Sequence, residues 1–212
     1  MSDNDRTAGP RIGRQPVTTA AALSHVALHL FIERGFEQTT VDDIARAAGI
    51  GRRTLFRYFP SKMDLPWGDF DAELTRMRAF LDAVEPDVAL VDALVVAVVE
   101  FNRFPPEEVR FHRERMNLLL NVPALMAHSS LRYAAWRRVV SDFAASRLGV
   151  DAGAIEPTAI GWVFLGVSLA AYEQWLKVDD SDLVELLESA FQLVRETFSP
   201  AGPLSARPGG RT

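Results

Sequence analysis

The sequence predicts an all-α protein, a small N-terminal helical head on a larger helical body. Three observations predict it. Apolar residues recur three and four apart along most of the chain, with no stretch of strict alternation. Glycines, prolines and capping residues interrupt that periodicity about once per helix length. Charge is divided: residues 1–62 carry 9 Lys and Arg against 6 Asp and Glu, net +3, whereas residues 63–212 carry 14 against 22, net −8. At 212 residues the chain is long enough for both parts.

Residues 1–16 are polar, with Gly9, Pro10, Gly13 and Pro16, and are expected to be disordered in isolation. Arg11 and Arg14 stand out there. The first helix is expected over 19–34, where Leu23, Val26, Ala27, Leu30 and Phe31 make an apolar stripe and Gly35 ends it.

Thr40 starts a second helix with a capping box: its hydroxyl accepts from the Asp43 N–H while the Asp43 carboxylate accepts from the Thr40 N–H. Ile44 and Ala48 fall on one face, and Gly49 is the residue that can turn left-handed beyond a helix end. A third helix must begin near Gly51, since Leu55 and Phe59 recur four apart and Pro60 forbids continuation. The pair is a helix-turn-helix. Steps of about 100° put Arg53 and Arg57 opposite Leu55 and Phe59. Arg52, Thr54, Tyr58 and Lys62 complete a surface suited to a DNA groove: arginine can grip guanine with two hydrogen bonds, and Tyr58 and Lys62 suit phosphates. Two arginines on a helix are by themselves only a solvated face. The capped turn and the flanking groups tip the reading towards DNA. Arg11 and Arg14 would then suit the negative minor groove next to it.

The segment TTVDDIARAAGIGRRTLFRYFPSK resembles the DNA-binding signature of TetR-type transcriptional regulators at nearly every position. The resemblance implies a three-helix DNA-binding head, a helical ligand-binding body and a homodimer that leaves DNA when a small molecule binds. It places Thr40, Thr54, Tyr58 and Lys62 on phosphates and Arg52, Arg53 and Arg57 in the groove. Two positions depart from the pattern. Gly51 replaces a common Ser or Thr cap, at a cost of a few tenths of a kcal/mol, and Phe56 replaces a common tyrosine and its phosphate hydrogen bond.

A basic head on an acidic body fits a protein of which only the head approaches a polyanion. Cysteine is absent, which excludes disulfides and thiolate metal sites. His25 and His29 share a helix face without a carboxylate between them, and no metal or cofactor is expected. The N-terminus lacks a signal-peptide core, and the apolar run 88–99 is broken by Asp92. The expected location is the cytoplasm, with no membrane partner.

Ser61 and Asp64 repeat the capping pattern for a fourth helix, and Pro66 should bend or restart it within 62–68. The run FRYFPSKMDLPWGDFD resembles the TetR-type subfamily associated with mycofactocin biosynthesis clusters. Further helices are expected at about 68–84, 88–104, 106–121, 124–148, 157–178 and 181–198. Pro86, Pro105 and Pro106, Pro123, Gly149 and Gly153, and residues 179–182 mark the gaps. The organisation is thus a flexible arm (1–16), a DNA-binding domain (17–62), a ligand-binding and dimerisation domain (63–198) and a disordered tail (199–212).

The body holds more aromatic residues than packing requires. Trp67, Phe101, Phe111, Met116, Trp136 and Trp162 are candidate pocket residues, and His112, Arg113 and Arg115 are candidate anchors for an anion. The last two helices carry broad apolar stripes, with Gly166 and Ala170 allowing close approach, and the resemblance implies that they pair as a four-helix dimer interface. Such a dimer would present its reading helices roughly 34 to 36 Å apart and require a pseudo-palindromic operator. The expected function is a ligand-responsive regulator, most simply a repressor, with an acyl-CoA or another long apolar anion as effector. An all-helical enzyme and a helical protein-interaction module are the alternatives. No nucleophile–base pair, metal spacing or phosphate loop supports the enzyme.

Overall fold

The computed structural model describes residues 19–199; the arm with Arg11 and Arg14, and the tail from 200 on, lie outside the described residues. Those described form nine α-helices and no strand. The head contains α1 (Ala20–Arg34), α2 (Val41–Ala47) and α3 (Arg52–Tyr58). A 3-10 turn, Lys62–Trp67, leads into α4 (Phe70–Asp82), α5 (Leu90–Phe101), α6 (Pro106–Asn121), α7 (Pro123–Leu148), α8 (Ile155–Lys177) and α9 (Leu183–Thr197).

The local signals act as the sequence dictates. Thr19 caps α1 by accepting from the Ala22 N–H. Both halves of the Thr40–Asp43 capping box form. Gly49 turns left-handed at φ 66° and lets α3 leave at an angle to α2. Leu55 and Phe59 are 1% and 3% exposed, which fixes the underside of α3 on Ile44 and the α1 core. Each such side chain contributes roughly 1.5–3 kcal/mol of burial.

The segment after Ser61 restarts at Gly68, as Pro66 leads one to expect, with α4 a separate helix; what differs is that its first part is a 3-10 turn and not an α-helix. Ser61 does not cap through a backbone N–H; its hydroxyl donates to the Asp64 carboxylate at 2.7 Å. Pro66 supplies no N–H, and the chain takes the tighter hydrogen-bond pattern until Gly68 releases it. Leu65, Pro66 and Trp67 are buried, and the Leu65 carbonyl accepts from Ser24 Oγ of α1 at 2.7 Å. The turn is a joint clamped to the head on one side and to α6 and α7 on the other.

In the body, α7 and α8 are the most extensively packed pair, and α9 lies along α8. Within the chain, the close helix approach is made at Gly161. A Cβ on Gly161 would lie 2.5 Å from Ser141 Oγ and 3.2 Å from the Arg137 carbonyl, whereas one on Gly166 would meet open space. Among the described residues α8 alone has the length and apolar composition to cross a membrane. It buries Phe164, Leu165, Ser168, Tyr172 and Trp175 in a contiguous core shared by head and body.

Candidate nucleic-acid interface and internal cavity

The two arginines facing away from Leu55 and Phe59 are exposed, as the helical wheel requires. Arg53 makes no hydrogen bond or ion pair among the described residues, so its guanidinium is available to a partner. Arg57 lies over the Tyr58 ring at 5.5 Å. Arg52 lies over Phe56 at 5.4 Å and meets Asp42 of α2 at 3.4 Å. Thr54 and Tyr58 sit half-buried on the flanks of the same face.

Two predicted phosphate contacts are otherwise engaged. The Thr40 hydroxyl belongs to the cap, donating to Asp43 while accepting from its N–H. These bonds, with Arg46 beyond them, hold the Asp43 carboxyl below the usual carboxylate range. Lys62 turns inward: Nζ donates to the Phe36 and Thr39 carbonyls at 2.7 and 3.1 Å and lies 4.2 Å from the Phe36 ring centroid. A phosphate contact would instead need the ammonium to reach outward. The loop between α1 and α2 presents two carbonyls at the place where the chain leaves α3, and the ammonium answers them.

A cavity of about 460 Å³ lies between the joint and the body. Its wall takes Ala21 and His25 from α1, Trp67 to Phe70 from the joint, and Glu73 and Arg76 from α4. The end of α5 and the following loop add Glu100 to Pro105, and α6 adds Glu108, His112, Arg115, Met116 and Leu119. Tyr133 and Trp136 of α7 and Leu165, Ser168, Leu169 and Tyr172 of α8 close it.

Six of the predicted pocket residues therefore meet there: Trp67, Phe101, His112, Arg115, Met116 and Trp136. Three do not. Phe111 points to the head and stacks on His25 at 4.7 Å. Trp162 is 58% exposed on the outer face of α8, covered on one side by the Arg137 guanidinium. Arg113 caps α8, donating to the Trp175, Val178 and Asp179 carbonyls. Aromatic type alone could not tell wall from rim, because neighbouring positions on α6 point to different sides.

Nothing in the sequence singles out Asn102 and Tyr133 as wall residues, and Tyr172 stands there only as one of the many aromatic residues of the body. Asn102 and Tyr172 are 70 residues apart, and nothing local announces their hydrogen bond of 2.5 Å.

The wall concentrates unsatisfied polar groups. Trp67 Nε1, His112 Nδ1, Arg115 Nε and the Tyr133 hydroxyl are buried without a partner among the described residues, and all four side chains line the cavity. Arg115 makes no ion pair there. Its burial lowers its pKa, while Glu108, Tyr172 and Glu73 at longer range oppose the shift. Burial, reinforced by Arg115, pushes His112 down to about 3, so that imidazole is neutral. Burial raises the Tyr172 hydroxyl well above the usual phenol value. Leaving one buried polar group unpaired costs about 1–3 kcal/mol. Four such groups belong to side chains of one wall, though each of these atoms is itself sealed from solvent and Tyr133 has the Ser129 hydroxyl nearby. An open groove of about 440 Å³ between α5 and α9, floored by the Asp92–Arg195 ion pair, has no such groups.

Comparison with known proteins fits this geometry. The profile of bacterial regulatory proteins of the tetR family matches residues 23–65, and the MftR C-terminal domain matches residues 88–199. The chain is 45% identical over 184 residues to a candidate mycofactocin biosynthesis transcriptional regulator, MftR, of Mycobacterium tuberculosis, covering 87% of this chain and 93% of that protein. It is 30% identical over 192 residues to the HTH-type transcriptional regulator TcmR of Streptomyces glaucescens, covering 86% and 83%. In fold it is similar to the transcriptional regulator FadR from Bacillus subtilis in complex with stearoyl-CoA, with a TM-score of 0.58 at 16% identity, covering 81% of this chain and 95% of that one. The basic reading helix, the helical body and these relatives lead to one conclusion: the chain belongs to the TetR family of bacterial transcriptional regulators, with a C-terminal domain of the MftR type.

Proposed function

We propose that this regulator is a homodimeric repressor, released from a pseudo-palindromic operator when a long apolar anion, such as an acyl-CoA, enters the body cavity. The observation that carries the reading is Arg115, largely buried and without an ion pair among the described residues, in a cavity wall that also offers a broad apolar part from Phe101, Met116, Leu119, Trp136 and Leu165. A guanidinium without an ion pair in such a place, with Glu108 and Glu73 only at longer range, favours a ligand bearing a negative charge or a strong acceptor. The fold-level likeness to a regulator solved with stearoyl-CoA is consistent with an acyl chain in the apolar part.

Residues 17–62 act as the reading head and 63–198 as the effector and dimer body. Arg52, Arg53 and Arg57 enter the major groove, Thr54 and Tyr58 fix register on phosphates, and Arg11 and Arg14 reach the minor groove. Trp162, Val163, Gly166 and Ala170 make an exposed stripe on α8, with Leu193 exposed on α9. They form the two-fold interface that sets the spacing of the heads. The protein acts in the cytoplasm, where the chromosome lies.

Coupling runs through the joint. Trp67 faces the cavity, Asp64 is tied to α7, and Lys62 is tied to the α1–α2 loop, all within six residues. A ligand pressing on Trp67 tilts the head without touching α3, and linkage requires that operator DNA weaken ligand binding by the same factor. Fluorescence anisotropy on a labelled palindromic duplex tests the proposal. Stearoyl-CoA should release the duplex at concentrations where coenzyme A alone does not. Salt-insensitive binding, or binding without preference for any palindrome, would overturn the DNA-reading half.

A further inference from the structure

The hydrogen atoms around His112 can be placed from a chain of partners that leaves no choice. The Val98 carbonyl only accepts, so the Asn102 atom 2.7 Å from it is the amide nitrogen, and Asn102 Oδ1 is the acceptor facing Tyr172. Tyr172 must give its single proton to Oδ1, at 2.5 Å. Its oxygen can then only accept from His112 Nε2, at 2.7 Å. The neutral imidazole therefore carries its proton on Nε2, and Nδ1 is a bare lone pair.

That lone pair is buried in the cavity wall and has no donor among the described residues. Phe104 stacks on the ring at 3.8 Å and keeps it from turning over. Arg115 stands three residues on, on the same face of α6, which places the two side chains roughly 5–6 Å apart at Cβ. The wall thus offers a cation that seeks an acceptor and, one step away, an acceptor that seeks a donor.

We propose that the effector carries a hydrogen-bond donor beside its acidic or carbonyl head, a 3-hydroxyacyl group being the simplest such chemistry, and that His112 reads this donor through Nδ1. The inference rests on the cavity being the effector site. Asn102 and Tyr172 are positioning residues that hold the imidazole in the reading tautomer. A ketone in the same place would set lone pair against lone pair and be rejected.

The test uses the full chain, with calorimetric titration and operator release by dodecanoyl-CoA, 3-hydroxydodecanoyl-CoA and 3-oxododecanoyl-CoA, and the matching free acids as a second arm to show whether the thioester is needed. The 3-hydroxy compound should bind at least about tenfold more tightly than the 3-oxo compound. Tyr172→Phe frees the proton to move to Nδ1 and should erase that discrimination. Nitrogen-15 NMR of the unliganded wild type should show His112 as the neutral Nε2–H tautomer, a readout independent of ligand and of how the variant folds. An Nδ1–H tautomer, or equal binding of the 3-hydroxy and 3-oxo compounds, overturns the inference and leaves the acyl effector standing. Failure of all three thioesters and their acids to bind removes the acyl effector class and this inference with it.

Discussion

Asp64 of the joint accepts hydrogen bonds from His128 Nε2 and from Arg132 Nη2 of α7, both at 2.9 Å, across more than 60 residues of chain. With Ser61 as a third donor, a carboxylate only 6% exposed is satisfied on both oxygens. Burial alone would raise its pKa. The bonds from His128, Ser61 and Arg132 together outweigh that and bring it below the usual 3.8.

The sign of the pH dependence follows. A carboxyl group whose folded pKa lies below its unfolded value stabilises the fold above the unfolded pKa, and that contribution is lost as pH falls through the folded value. Asp64→Asn should cost about 2–4 kcal/mol near neutral pH, because it leaves Arg132 and His128 short of a charged partner. Urea unfolding at a series of pH values should show the gap between wild type and variant closing below about pH 4. The variant should also bind operator but respond less to effector, since the joint is loosened from α7.

Arg53 and Lys62 should behave differently. Arg53→Ala removes an exposed, unengaged guanidinium; it should leave thermal stability unchanged and weaken specific DNA binding by about 1–3 kcal/mol, with flattened base preference. Lys62→Ala abandons two carbonyls and a cation–π contact, so it should lower stability by about 1–3 kcal/mol. Calorimetry beside duplex anisotropy separates them, and an unchanged melting temperature for Lys62→Ala would return that lysine to the phosphates.

Arg115→Leu should raise the stability of the ligand-free protein by about 1 kcal/mol or more, because a largely buried guanidinium without an ion pair is replaced by an apolar side chain. The same change should weaken an anionic effector at least about tenfold. Thermal melts with and without stearoyl-CoA read both effects. A destabilised variant with unaltered ligand response would show that Arg115 is a structural group.

Trp162→Glu places a charge in the centre of the exposed α8 stripe and should convert the proposed dimer to monomer with the fold intact. Light scattering after size exclusion gives the mass and circular dichroism the helix content. Operator affinity should fall steeply, since one head reads only a half-site.

How much of this was legible in sequence depended on the range of the interactions. Helix starts and stops are local: Thr40 with Asp43, Gly49, Pro60 and Gly149 each act within one turn, and the boundaries read from them lie within a few residues of those observed. The outward direction of Arg53 and Arg57 follows from helical rotation once Leu55 and Phe59 are buried. The family signature was also contiguous, within residues 35–62.

The cavity was different. Composition points to an aromatic, arginine-bearing body that encloses one, but the same reasoning puts Phe111, Trp162 and Arg113 in its wall, and these stack on His25, face outward and cap α8 respectively. Which side of a helix becomes wall depends on how α6, α7 and α8 cross, and crossing angles are not written in any one segment. The inward turn of Lys62, the Asp64 bonds to α7 and the tautomer of His112 each join groups more than 20 residues apart. The chain thus fixed its helices, its reading face and its family through short-range periodicity and capping. Folding alone decided which buried polar groups found partners and which were left waiting around the void, because hydrogen bonds across the core exist only after distant segments have been brought together.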